Sequence, residues 1–179
     1  MPDVVIAHWI RYLLFLLSAS TVGLSWWRGG WKIFLVYFTL WTELVGMISV
    51  GLSVLVTASS DIHGKMGLLA AHHMFYTAAI FMNVVTVMVY WALIHDECLE
   101  KFGANETDVA VKCYMAHIVP GFVCIINTWL TNSKLSKKFL PGLIFFGLIY
   151  AIVNFYMTKK TGKPIYPFLT WEGPDSLLI

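Results

Sequence analysis

Charge is scarce in this chain. Of its 179 residues only 12% are charged, and the formal net charge is +2. A soluble domain carries roughly 25% charge, so there are too few ionic side chains here to solvate a water-exposed shell. The small positive excess is scattered, which excludes the basic stripe that nucleic acid binding needs. Cysteine is equally sparse. Cys98, Cys113 and Cys124 form no CxxC pair, so neither a disulfide framework nor a thiolate metal site is indicated. No internal repeat or low-complexity stretch appears. The N-terminus has no basic segment ahead of its first apolar run, and that run is long enough to span, so it reads as a retained membrane helix.

What the chain has instead is apolar length. It is 59% hydrophobic with a mean hydropathy of +0.74. Five apolar stretches stand out, at about 4–27, 33–57, 66–95, 109–130 and 139–157. A helix rises about 1.5 Å per residue, so each can cross a hydrocarbon core of about 30 Å. The expected fold is all-α: one polytopic membrane domain over 1–179, a bundle of about five transmembrane helices with its ends on opposite sides. The remainder, 158–179, holds Pro164, Pro167 and Pro174 and is too broken to span. Arg28-Gly29-Gly30 reads as a tight basic turn between the first two helices. Pro120 lies inside the fourth and removes a backbone donor there. The acidic stretch Asp96–Asp108 contains the glycosylation triplet Asn105-Glu106-Thr107. Lysines and arginines divide five to the N-terminal side and seven to the other, a balance that sets no orientation. An integral membrane protein is indicated, in a membrane that the residues do not name.

Polar residues inside such helices are where function concentrates, because each costs free energy in hydrocarbon. Thr39, Thr42 and Glu43 share one face of the second segment. Counted from its start at Ile33, Thr39 lies about 9 Å deep. His117, eight residues into the fourth segment from the same side, lies about 12 Å deep. The two therefore sit at similar level, and a hydroxyl beside an imidazole is the minimal pairing of nucleophile and base. Glu43 is placed to support His117 as the third member of such a group. Thr42 suits a hydroxyl bonded back to its own helix. A competing use of histidine is haem ligation between helices, with His8 and His72 or His73 towards one side and His95 with His117 towards the other.

Trp31-Lys32, Phe38-Thr39-Leu40, His117, and then Thr161-Gly162-Lys-Pro-Ile-Tyr166-Pro167-Phe168-Leu169 occur in an order and spacing that resemble the androgen-induced protein, or FAR-17a, family of polytopic membrane proteins. The resemblance implies an atypical hydrolase that cleaves esters of hydroxy fatty acids within the bilayer, with a threonine nucleophile and a histidine. By motif these roles fall on Thr39 and His117. It implies fatty-acyl lipids as partners and no cofactor. Two departures stand beside it. The family has a further helix after the YPFL motif, whereas this sequence stops at Ile179. The surroundings of His117 also lack the family's asparagine and hydroxyl groups. These departures give a second expectation, a non-catalytic accessory subunit of a larger membrane assembly, such as a respiratory one, that contacts other membrane subunits.

Overall fold

A computed structural model describes residues 4–59, 66–96, 100, 107–131, 135 and 137–173, without the side chains at 28, 29, 31–33 and 107–113. The triplet at Asn105, Cys98 and the thiol of Cys113 lie outside what is described. The fold is an all-α membrane helix bundle, and among the described residues there is no strand. Helix α1 covers Val4–Val36, α2 Phe38–Ala58, α3 Met66–Val89, α4 Thr107–Leu130 and α5 Leu140–Thr161. Four described spans are long and apolar enough to cross a membrane, and the apolar part of α4, Tyr114–Leu130, is shorter.

Helix α2 is the centre of the bundle. Its buried residues recur three or four apart, as Glu43, Gly46, Val50 and Ser53, or Thr42, Val45 and Ser49. This spacing makes a broad face that meets three neighbours at once. On one side Val45 packs with Ala78, Ala79 and Met82 of α3. On the other, Val50 meets Leu14 of α1 and Val123 of α4. At Gly51 a Cβ would fall 3.1 Å from the Phe15 ring, so the missing side chain lets α1 approach closely. Helix α5 is peripheral, with 11% of its apolar span buried against 44% for α2.

Near the N-terminal end of α1, hydrogen bonds join four helices. Arg11 donates to the Thr57 hydroxyl at 2.7 Å and to the Leu130 carbonyl at 2.6 Å. Ser53 Oγ lies 2.9 Å from His72 Nε2 and 3.3 Å from the donating Asn127 amide. In hydrocarbon, such pairings answer side chains that water would otherwise solvate.

Two boundaries differ from the sequence reading, and both bear on the site. The expected turn at Arg28–Gly30 is instead a kink within α1, centred on Gly30 at φ 63°, ψ −179°. Residues 31–36 continue as helix past that kink. Tyr37 then breaks the chain in an extended conformation, φ −96° and ψ 124°, and α2 starts at Phe38 rather than Ile33. Apolar periodicity runs unbroken through this junction, so nothing in hydropathy marks the break. At the other end, α3 passes into a π-helical turn over Tyr90–Ile94. The chain after α5 folds back: Gly162 closes the helix in the left-handed conformation, and Trp171 donates its indole N–H to Asn154 Oδ1 at 2.7 Å.

The Gly30 backbone lies in a region essentially restricted to glycine. A Cβ there meets no atom within 4 Å, so only the backbone resists substitution. Gly30→Ala is expected to lower stability by about 1–3 kcal/mol, read as a lower unfolding temperature in detergent. An unchanged midpoint would show that the kink carries no strain.

Candidate active site

The break at Tyr37 decides what Thr39 can do. A threonine in a helix interior donates its hydroxyl to the carbonyl about one turn back. Thr42 does so to Phe38 at 3.1 Å, Thr57 to Ser53 at 2.7 Å, Thr128 to Cys124 at 2.7 Å and Thr161 to Met157 at 2.8 Å. Thr39 is the second residue of α2, and the carbonyl four residues before it belongs to α1, beyond the extended residue. Its hydroxyl therefore turns outward, and Oγ1 lies 3.2 Å from His117 Nε2 on α4. Depth counting from Ile33 brought the two residues level, although Thr39 sits in the first turn of α2 rather than well inside it.

His117 is set by Tyr90. The phenol ring lies flat on the imidazole, with centroids 3.8 Å apart and planes 12° from parallel. Tyr90 is 1% exposed, so the platform is rigid. Its hydroxyl meets His95 Nδ1 at 3.3 Å. The π-helical turn that begins at Tyr90 shifts the register of side chains at this level, a device frequent at functional sites. An aromatic pair of this kind contributes about 0.5–1.5 kcal/mol beyond its buried area.

The third wall comes from α5 and the segment after it. The Phe38 N–H, one of the donors that a helix start leaves unpaired, donates to the Tyr166 hydroxyl at 3.1 Å. Tyr37, at the capping position, makes no side-chain bond to this end. Thr39 and Tyr150 line the same cavity as Tyr166. Burial pushes Tyr166 above the ordinary phenol range, so at neutral pH it keeps its proton. Tyr150 in turn donates to the Val36 carbonyl at 3.0 Å and accepts from Asn154 at 3.3 Å. These bonds tie the α1–α2 junction to α5. Between the walls lies a cavity of about 190 Å³, lined by Thr39, His117, Thr86, Tyr90, Tyr150 and Tyr166 with apolar neighbours.

Glu43 is elsewhere. It is buried at 3% exposure and accepts from Ser25 of α1 at 3.2 Å, while its other oxygen has no partner. The expected support for His117 therefore comes from Tyr90. The reason is angular: four residues after Thr39, Glu43 is rotated far enough around α2 to meet α1 rather than α4. Thr42, on the other side of Thr39 around the helix, accepts from Thr86 of α3 at 2.9 Å.

Two of the histidines proposed for haem are engaged. His72 Nε2 meets Ser53, His117 Nε2 meets Thr39, and the face of His117 is covered by Tyr90. These contacts occupy the ring nitrogens and space that axial ligation between helices would use. Among the described residues, no group of three His, Cys, Asp or Glu is placed to hold a metal ion.

Tyr90 and Tyr150 were not legible as site residues. Tyr90-Trp91 reads as an interfacial anchor, and the π-turn that points Tyr90 inward has no sequence signature. Tyr166 belongs to the YPFL motif, but only folding back brings it beneath α2. No family model, curated protein or solved structure matches this chain.

Two outcomes follow from the geometry. Glu43→Gln should leave the His117 titration measured by NMR unchanged, whereas Thr39→Val should shift it. A Glu43→Gln shift as large as that of Thr39→Val would place the carboxyl at the imidazole after all. Tyr166→Phe removes the acceptor for the Phe38 N–H and should cost about 1–2 kcal/mol, visible as a fall of a few degrees in the unfolding midpoint.

Proposed function

We propose that this protein is a membrane-embedded ester hydrolase that acts on fatty-acyl lipids, with Thr39 as nucleophile and His117 as general base, of the kind implied by its resemblance to the FAR-17a family. The observation that carries the reading is the 3.2 Å separation of Thr39 Oγ1 and His117 Nε2 at the wall of an apolar cavity. That distance is at hydrogen-bond reach, where a base can take the hydroxyl proton as the oxygen attacks.

The steps use this chain's own groups. Thr39 Oγ1 attacks the ester carbonyl while its proton passes to His117 Nε2, and a tetrahedral oxyanion forms. Its negative charge lies beside the start of α2, where the helix dipole presents partial positive charge. The protonated Tyr166 hydroxyl is a second donor on that side. Collapse breaks the bond to the alcohol oxygen, which takes the proton from His117 and leaves Thr39 acylated. Water then gives a proton to His117 and adds to the acyl carbon. Release of the fatty acid returns that proton to Thr39 Oγ1. Tyr90 holds the imidazole plane through both halves, which preserves the alignment that the two transfers need.

Thr39→Ala and His117→Ala should each lower ester cleavage by purified protein at least about a thousandfold while leaving the helical circular dichroism intact. Thr39→Ser should retain part of the activity. A stalled acyl-enzyme should appear as an acyl mass increment on the peptide containing Thr39. Full activity in either alanine variant excludes the mechanism. A wild-type protein that is folded, inert towards esters and held in a larger membrane assembly would favour the accessory-subunit reading.

A further inference from the structure

The Tyr90 ring lies flat against the His117 imidazole, with centroids 3.8 Å apart. The imidazole is therefore placed only as well as the phenol is. A tyrosine ring has two motions, a flip about its own long axis and a swing about the Cα–Cβ bond. Its hydroxyl lies on the flip axis. A bond to the oxygen thus leaves the flip alone and stops the swing, which is the motion that would slide the ring off His117. One group that holds this oxygen is His95, whose Nδ1 lies 3.3 Å from it.

The π-helical turn makes this contact possible. In an α-helix each residue turns about 100°, so side chains five apart point about 140° away from one another. The turn over Tyr90–Ile94 is wider, and its hydrogen bond links residues five apart. His95 donates its backbone N–H to the Tyr90 carbonyl, and the two side chains come onto one face. His95 therefore grips Tyr90 twice, at the carbonyl and at the phenol oxygen. The imidazole of His95 is braced in turn. Its centroid lies 4.4 Å from that of Trp91 and 5.9 Å from that of Tyr114 on α4. Tyr114 stands three residues before His117, on the same side of that helix. The anchor of Tyr90 thus leans on the helix that carries the base. His95 lies just past the apolar span that ends at Ile94, where an imidazole escapes the cost of hydrocarbon.

We propose that His95 is a positioning residue that acts through Tyr90 to fix the His117 imidazole where Nε2 meets Thr39 Oγ1. His95 touches neither the cavity nor the reacting atoms. The positional link stands on geometry, and its kinetic consequence rests on the hydrolase reading. In that reading, an imidazole free to drift from the Thr39 hydroxyl slows the proton transfers and leaves ester binding in the cavity as it was. The loss therefore falls on kcat rather than on KM.

Three substitutions separate the bond from the bulk of the side chain. His95→Phe keeps a ring against Trp91 and Tyr114 and has no nitrogen. His95→Asn carries an amide close to where Nδ1 stands. Tyr90→Phe keeps the stack on His117 and loses only the oxygen, so it keeps the test open if His95→Phe does not fold. In purified protein with isotope-labelled histidine, the His117 ring protons are read by NMR at one fixed pH and assigned by their loss in His117→Ala. The face of Tyr90 shields these protons. His95→Phe and Tyr90→Phe should each move their signals towards those of an unstacked histidine. With a p-nitrophenyl ester, each should lower kcat about tenfold and change KM less than about twofold. His95→Asn should restore the signals and most of kcat. Combining His95→Phe with Tyr90→Phe should do no more than either alone, because both remove one bond. Unmoved His117 signals in His95→Phe and Tyr90→Phe, or losses that multiply in the double variant, would overturn the proposal. So would His95→Asn behaving as His95→Phe does. A wild type inert towards esters, whose His117 signals still move alike in the two phenylalanine variants, would leave the positional link standing and remove the hydrolase reading.

Discussion

A hydroxyl inside a membrane helix has one partner always within reach, the carbonyl a turn behind it. Thr42, Thr57, Thr128 and Thr161 take that partner. Thr39 does not, because the chain is extended at Tyr37 and α2 has only just begun. The rest of the site depends on that interruption. It releases the hydroxyl to His117 and exposes the Phe38 N–H that Tyr166 answers. It also places the start of a helix, with its partial positive charge, beside the oxygen. A junction two residues earlier would bury the hydroxyl in its own helix.

The open ends of two helices explain why so many groups converge on one short junction. The last carbonyls of α1 and the first N–H groups of α2 have no partner within their helices, so side chains supply them. The Val36 carbonyl accepts from Tyr150, the Phe38 N–H donates to Tyr166, and the Tyr150 hydroxyl accepts from Asn154, which also holds Trp171. The peripheral helix α5 and the segment that follows it are thus held by the needs of the junction more than by apolar packing. The opposite end of the bundle solves the same problem with Arg11, Ser53, His72 and Asn127, joining four helices where the centre of the bundle carries mainly alkyl contacts.

The all-α membrane class was open to inspection in the sequence, because apolar length alone specifies it. The matching level of Thr39 and His117 was also legible, since depth follows from rise per residue. Angular position was less so. Glu43 and Thr39 share a face at the coarse spacing of four residues, yet in a bundle whose central helix has neighbours on several sides that spacing carries one to α4 and the other to α1. The Tyr37 break lies in a run where every neighbour is apolar or aromatic, and hydropathy is blind to backbone dihedrals. The π-turn at Tyr90 is equally silent, because its one-residue register shift is settled by packing rather than by any residue type.

The bond between Phe38 and Tyr166 spans 128 positions of sequence. Its consequence concerns biosynthesis. Domains emerge N-terminal part first, so α1 to α4 are made before the residue that completes the start of α2 exists. Until then the Phe38 N–H at the start of α2 lacks the partner that Tyr166 gives it. The centre of α2 can pack early through Val45 and Val50, whereas its first turn waits for the segment that carries Tyr166.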